Sequence, residues 1–188
     1  MANERLPGLP SISIERATDG DAAAFVELHE EAARWLWERD IHQWKPGAFQ
    51  VEWLRGPIER GEVYLVKEDG IPIATLILQW SDEYTWGTRP PDAGYIHGVR
   101  VRRAAAGRGI GRALLDWAER EIARAGRPYA RLDCIAENPR LCAYYTDAGY
   151  ARQPDLEVEG ADKGRLARFE KRVLPHGDDE PGRTEADA

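Results

Sequence analysis

A glycine-rich turn between an apolar strand-like run and a helix-like run constrains the fold of this chain more than any other feature. The turn lies within VRVRRAAAGRGIGRALLDW, residues 99–117, where Gly107, Gly109 and Gly111 stand at alternate positions. Apolar side chains then recur at helical spacing over 110–125. A strand that passes through such a turn into a long amphipathic helix predicts a mixed α/β fold.

The rest of the sequence predicts the order strand, helix, helix, three strands, helix, strand, helix and one or two strands. SISIER alternates like a strand, and Thr18 with Asp21 predicts a capping box before the first helix. A shorter helix over 49–60 is expected to break at its Gly-Pro pair. Asp69-Gly70 predicts a tight turn between two strands, because this pair tolerates positive φ angles.

Size and composition favour one globular domain. With 188 residues we expect a domain over 11–174, between an N-terminal tail over 1–10 and an acidic C-terminal tail over 175–188. The net charge of −7 argues against nonspecific binding to nucleic acid or to an anionic membrane. No apolar run approaches the ~20 residues of a membrane helix, and no secretory pattern opens the chain. We therefore expect a cytoplasmic protein, either a monomer or a homodimer.

The two cysteines do not predict a metal site or a disulfide framework. Cys134 and Cys142 lack the paired spacing and the histidine companions of a zinc site. Two reduced, partly buried thiols are the expectation, with no metal bound.

The glycine-rich turn is a candidate anion site. Amides at a helix start have no partners within the helix and lie at the positive end of its dipole, and glycines let an anion approach them. Arg108 and Arg112 add positive charge, which suits a pyrophosphate. A P-loop is excluded because Gly111 is followed by Arg112 and Ala113, and the glycine spacing is wrong for a dinucleotide-binding fingerprint. A flexible turn with solvated arginines remains the alternative.

Two segments together resemble the GNAT acyltransferases. VRVRRAAAGRGIGRALL is similar to that family's central acyl-CoA motif, R/Q-x-x-G-x-G/A, and ENPRLCAYYTDAGY is similar to its later segment. The resemblance covers about 12–173. It implies a central, mostly antiparallel sheet with splayed middle strands, flanked by about four helices. It also implies an N-acetyltransferase that moves an acetyl group from acetyl-CoA, its cosubstrate, to a primary amine by direct transfer in a ternary complex.

The resemblance also implies which residues hold the cofactor. Asn138 would bond the pantetheine side, and the main chain of three strand residues would pair with the pantetheine arm: Val99, Arg100 and Val101. The pyrophosphate would be held chiefly by main-chain amides of the turn, formed by Gly107, Arg108, Gly109, Ile110, Gly111 and Arg112. One departure is plain, because the motif's leading Arg or Gln falls on Ala106. Arg103 or Arg108 is expected to substitute, and CoA binding is expected to weaken modestly.

Direct transfer needs a base, an acid and an oxyanion donor. The resemblance places the acid at Tyr145, with Tyr144 as the competing candidate, and the oxyanion donor at the amide of Val99. We expect His97 to be the base, since imidazole titrates near neutral pH and strand alternation places it on the face of Tyr95, Val99 and Val101. A histidine merely bonded within the sheet is the plain alternative. Other candidates are a water chain and the side chains of Glu83, His42 and Asp133.

The acceptor is less constrained. Tryptophans cluster in the first two helices and their link, and further aromatic side chains flank the connection after the third strand: Trp35, Trp37, Trp44, Trp53, Trp80, Tyr84 and Trp86. They predict a pocket for a small aromatic or cationic amine, although aromatics at helical spacing also serve as core. Two rival functions stay open. One is a non-catalytic acyl-CoA-binding regulatory domain, and the other is a peptide or protein N-terminal acetyltransferase.

Overall fold

The computed structural model describes residues 4–6, 8–158 and 164–174, which form one eight-stranded sheet with helices on both faces. The spatial order of the strands is β1-β2-β3-β4-β5-β6-β8-β7. Only β5 and β6 run parallel, and every other neighbouring pair is antiparallel. The strands are β1 Glu4–Leu6, β2 Leu9–Arg16, β3 Val63–Glu68, β4 Ile71–Gln79, β5 Ala93–Val101, β6 Tyr129–Ile135, β7 Ala151–Glu157 and β8 Arg165–Arg172.

Five α-helices cover the two faces of this sheet. They are α1 Ala22–Trp37, α2 Arg55–Glu59, α3 Glu83–Trp86, α4 Ile110–Arg124 and α5 Pro139–Asp147. The apolar faces of α4 and α5 pack on one side of the sheet, in a core around Leu114 and Tyr145. The apolar face of α1 packs on the other side, in a smaller core around Phe25. The mixed α/β class with a mostly antiparallel sheet is therefore confirmed.

Local turn chemistry explains several boundaries. The backbone N–H of Thr18 donates to Asp21 Oδ2 over 2.9 Å, as expected of the capping box. Asp69 and Gly70 have φ angles of +50° and +80°, and this pair joins β3 to β4 in the expected tight turn. Pro57, by contrast, does not break α2, because it lies in the first turn, where its missing N–H would have no helical partner.

The stretch expected to be an N-terminal tail over 1–10 contributes to the sheet. Strand β1 pairs with β2, and the Leu6 side chain is buried in the larger core. The Trp117 indole N–H also donates to Glu4 Oε2 over 3.0 Å. A strand of three residues is too short to show an alternating pattern in the sequence. Packing against α4 stabilises it instead. The expected C-terminal tail over 175–188 lies outside the described residues.

The sheet opens between its two parallel strands. Pairing between β5 and β6 ends at Ile96 and Leu132, although β5 continues to Val101 and β6 to Ile135. The main chain of β5 beyond Ile96 therefore has no partner in β6. This is the splay that the sequence resemblance implied.

Along the part of the chain that the structure describes, no helix is long and apolar enough to cross a membrane.

Candidate active site

A bulge in β5 decides which side chains face which side of the sheet. The register with β4 passes from His97 opposite Ile77 to Arg100 opposite Thr75, so two β5 residues, Gly98 and Val99, oppose one β4 residue. Gly98 has a φ of +60°, and a Cβ there would lie 3.0 Å from the Arg100 guanidinium, which explains the glycine.

The bulge corrects the predicted face of His97. Val99 and Val101 pack against the α4 side of the sheet, together with Ile96. His97 faces the opposite side, as does Arg100, whose guanidinium contacts Phe25 of α1. The expectation that His97 shares a face with Val99 and Val101 is wrong, because an extra residue in one strand inverts the alternation beyond it.

The glycine-rich turn forms an open cradle at the start of α4. Gly107 and Gly109 have φ angles of +78° and +79°, and a Cβ at either would meet nothing within 4 Å. The first helical hydrogen bond runs from the Ala113 N–H to the Gly109 carbonyl. The amides of Ile110, Gly111 and Arg112 consequently have no helical acceptor and are available to an anion.

The arginines of the cradle are paired with carboxylates. Arg108 donates two hydrogen bonds to Glu68, of 2.8 and 2.6 Å, and Arg112 Nε donates to Asp116 over 2.9 Å. Both pairs are exposed, and ion pairs in high dielectric are weak.

Arg103, the other candidate to replace the missing motif residue at Ala106, points elsewhere. Its guanidinium lies 4.0 Å from the centre of the Trp35 ring, and its backbone N–H donates to Glu31 over 2.6 Å. Ala106 itself has extended backbone just before Gly107. Of the two candidates, Arg108 is the one within the glycine-rich turn.

Asn138 caps the next helix beside the splay. Its Oδ1 accepts from the Leu141 N–H over 3.1 Å, and only 7% of the residue is exposed. Its Nδ2 donates to no acceptor among the residues that the structure describes. Asn138 therefore has one half of its amide fixed by α5 and the other half available as a donor.

Tyr145 lies in the larger core, on the side of the sheet that α4 and α5 cover. Its ring packs against Tyr150 and Phe169, and burial, with nearby Cys134 and Asp133, raises its pKa well above the usual range. The phenol is therefore a proton donor throughout the physiological range. Tyr144, the competing candidate, is 38% exposed and places its hydroxyl beside Gly111 at the cradle.

The two cysteines lie side by side, Cys134 in β6 and Cys142 in α5. Their sulfur atoms are 3.7 Å apart, and both residues are buried as free thiols, as expected. Burial and the neighbouring Cys142 raise the pKa of Cys134, so it is a poor nucleophile.

His97 lies between two carboxylates. Its Nε2 is 3.6 Å from Asp82 Oδ2, and its Nδ1 is 3.7 Å from Asp133 Oδ1. Asp82 comes from the connection after β4, where its other oxygen caps α3 by accepting from the Thr85 N–H. Asp82 Oδ2 and His97 Nε2 are both buried and have no hydrogen-bond partner. One cationic donor that contacts both atoms would satisfy them.

The other base candidates lie in different settings. Asp133 belongs to the His97 group, whereas Glu83 is an exposed residue of α3. His42 contacts Asp40 at 3.3 Å and stacks on Trp37. Asp82 directly precedes the four residues of α3, at the position where Asp commonly caps a helix.

The same three side chains are the potential metal ligands in the described part of the chain. Asp82, His97 and Asp133 each offer one ligand atom within 4.8 Å of the others. Two carboxylates and one imidazole suit a hard or borderline divalent ion as well as a bound ammonium group.

Arg100 and a row of aromatic side chains pack together on the face of β5 that His97 also occupies. The Arg100 guanidinium lies 4.5 Å from the Trp44 ring centre. Trp44 contacts His29, His29 contacts Phe49, and Phe49 contacts Trp53 at the surface. Of the predicted tryptophan cluster, Trp44 thus reaches the β5 face. Sequence reasoning missed His29, although it follows Phe25 by four residues on the buried face of α1.

Comparison with known proteins agrees with this geometry. Residues 19–150 match the family model described as "Acetyltransferase (GNAT) family". The uncharacterized N-acetyltransferase YesJ of Bacillus subtilis (strain 168) is 32% identical in an alignment of 162 residues that covers 81% of this chain and 86% of YesJ. The S-(2-succino)cysteine N-acetyltransferase of the same strain is 30% identical over 123 residues, covering 63% of this chain and 70% of that enzyme.

A solved structure shares the fold. The GNAT-family acetyltransferase from Listeria monocytogenes 4b F2365 superposes with a TM-score of 0.72 and 26% identity, covering 91% of this chain and 99% of that chain. The splayed sheet, the cradle at the start of α4 and the family match all lead to the same conclusion. This chain belongs to the GNAT family of acetyl-CoA-dependent N-acetyltransferases.

Proposed function

We propose that the protein transfers the acetyl group of acetyl-CoA directly to the primary amine of a small acceptor within a ternary complex. The observation that carries this proposal is the His97 group. A buried imidazole nitrogen and a buried carboxylate oxygen face each other without partners, on the strand that borders the splay. An ammonium group satisfies both atoms.

The cofactor would enter through the splay. The free amides of Ile110, Gly111 and Arg112 suit its pyrophosphate, and the unpaired main chain of β5 suits the amides of the pantetheine arm. Asn138 Nδ2 adds a donor on the opposite side of the gap. Arg108 would leave Glu68 to contact phosphate, which compensates for Ala106.

The base step would begin with the charged acceptor. Asp133 Oδ1 lies 3.7 Å from His97 Nδ1 and would favour the tautomer that carries its proton on Nδ1, so that Nε2 is unprotonated and the ammonium donates to Nε2 and to Asp82. His97 then takes one proton. The free amine attacks the thioester carbonyl, whose oxygen accepts from the amide of Val99 at the bulge.

The acid step would close the cycle. As the tetrahedral intermediate collapses, the carbon–sulfur bond breaks and the thiolate takes a proton from Tyr145. Its raised pKa keeps that proton available at working pH. The attacking nitrogen releases its second proton as the amide forms, and this proton restores the Tyr145 phenol through solvent. His97 returns its own proton to solvent. Cys134 has no role as an acetyl carrier, since burial holds it as a thiol.

A small acceptor is favoured by the setting of the His97 group. Asp82 is 9% exposed at its side chain, and the aromatic row from Trp53 to Trp44 closes the α1 side. One relative is named for a small-molecule acceptor, S-(2-succino)cysteine. A peptide acceptor would need an extended groove in place of this enclosed setting. A regulatory domain without turnover would not need a histidine nitrogen that lacks a hydrogen-bond partner.

The test is an assay of CoA release with acetyl-CoA and a panel of amines, amino acids, polyamines, aminoglycosides and short peptides. We expect turnover with small amines, intersecting initial-rate lines that indicate a ternary complex, and no change on adding EDTA. Parallel lines would contradict direct transfer, and loss of activity with EDTA would assign the His97 group to a metal. Acetyl-CoA binding without turnover on any amine would favour the regulatory domain.

A further inference from the structure

Arg100 is a buried cation without an anion. The residue is 8% exposed, and its guanidinium makes one hydrogen bond, from Nη1 to the Gly98 carbonyl over 3.3 Å. Nε has no partner. In the part of the chain that the structure describes, no carboxylate pairs with Arg100. A buried guanidinium is ordinarily paired, because an uncompensated charge in low dielectric is costly.

The surroundings of Arg100 are neutral. Its guanidinium lies over Trp44 and Phe25, at 4.5 and 5.3 Å from the ring centres. His29 stands beside it, and burial together with the charge of Arg100 lowers the pKa of His29 to about 3, so its imidazole is uncharged. The Nδ1 of His29 is buried and lacks a partner as well. Arg100 Nε and His29 Nδ1 are therefore two buried polar atoms without hydrogen-bond partners beside the same aromatic rings.

Arg100 faces the acceptor side of the sheet. The bulge places it on the same face as His97, three residues further along β5 and at most ~10 Å away at strand spacing. The cradle lies on the other face, at the start of α4, where the turn's own amides and Arg108 are available for phosphate. A pyrophosphate held there cannot reach a guanidinium that faces α1.

We propose that Arg100, with His29, binds a carboxylate of the acceptor, so that the substrates are amines that also bear a carboxylate, such as amino acids. This inference rests on the proposed function, which places the reacting amine at His97. A planar carboxylate matches the paired N–H groups of a guanidinium, and the aromatic walls strengthen that bond by excluding water. Arg100 would then orient the acceptor without touching the reacting atoms.

Matched acceptors test the proposal. Leucine and leucinamide, and phenylalanine and phenylalaninamide, share an amine and differ in the carboxylate. We expect kcat/KM to be about 10- to 100-fold higher for the acids than for the amides. Arg100→Met should abolish that preference, mainly through a higher KM for the acids. Arg124→Met removes a charge from the exposed end of α4 and should retain the preference.

Other outcomes decide between the alternatives. Equal rates for acids and amides would overturn the proposal while leaving the acetyltransferase function intact. A preference for succinyl-CoA over acetyl-CoA that disappears in Arg100→Met would assign the carboxylate to the acyl group and also overturn it. If no acceptor is turned over, the proposed function fails, and calorimetry with CoA and leucine against leucinamide decides the role of Arg100. Circular dichroism of Arg100→Met verifies that the variant is folded.

Discussion

Asp82 Oδ2 lies 3.6 Å from His97 Nε2, and neither buried atom has a hydrogen-bond partner. If an acceptor ammonium donates to both atoms, removing either partner lowers turnover. We expect His97→Gln to reduce kcat by about 100-fold or more and Asp82→Asn to raise KM mainly. Initial rates of CoA release measure both effects. His42→Gln, an exposed histidine paired with Asp40, is the matched control and should retain full activity.

The buried phenol of Tyr145 gives a second prediction. Tyr145→Phe removes the proton donor and keeps the ring that packs on Phe169. We expect kcat to fall by about 10- to 100-fold with little change in the Kd of acetyl-CoA. Because burial raises the pKa of Tyr145, its ionisation should cause no loss of rate below pH 10. Unchanged turnover in Tyr145→Phe would exclude Tyr145 as the acid. The same measurement on Tyr144→Phe tests the competing candidate.

Arg108 donates two hydrogen bonds to Glu68, which would compete with the phosphates of CoA for this arginine. Glu68→Gln removes the carboxylate that holds this arginine, so we expect the Kd of CoA to fall by about two- to fivefold at low salt. The gain should shrink as ionic strength rises, because the groups are exposed. Calorimetric titration with CoA measures both effects. Glu121→Gln, further along α4, should leave the Kd unchanged, and an equal gain there would point to net charge alone.

His29 makes stability depend on pH. Its pKa is about 6.5 in the unfolded chain and about 3 in the fold, because burial and Arg100 disfavour its charged form. The unfolded state therefore binds the proton first, and stability falls as pH drops from about 6.5 towards 3. Between pH 7 and pH 4.5, the free energy of unfolding of His29→Phe should therefore fall by about 2 kcal/mol less than that of the unchanged protein. Urea unfolding at pH 7 and pH 4.5 measures it, and equal losses in both proteins would contradict the assignment.

Glycines made much of the cofactor side predictable. Gly107 and Gly109 need positive φ angles, so their spacing before an apolar periodic run indicated both the turn and the helix start. Asp69-Gly70 indicated the hairpin for the same reason. These features depend on neighbours in sequence, and local backbone sterics determine them.

The acceptor side depends on contacts between distant residues. The alternation of β5 suggested one face for His97, Val99 and Val101, but the bulge at Gly98 divides them, and a bulge is set by pairing with β4. Asp82 reaches His97 from another connection, and His29 reaches Arg100 from α1. Neither pairing leaves a periodic trace in the sequence, because each is made only when the sheet assembles.

The gap between β5 and β6 also gives the sheet two interior edges. Unpaired strand edges are templates for association with other chains, and proteins ordinarily cover them. In the function proposed above, the covering group would be the cofactor itself, whose pantetheine amides would take the place of a neighbouring strand. Depletion of CoA would therefore leave the edges of β5 and β6 open to pairing with other chains, and bound CoA would prevent that association.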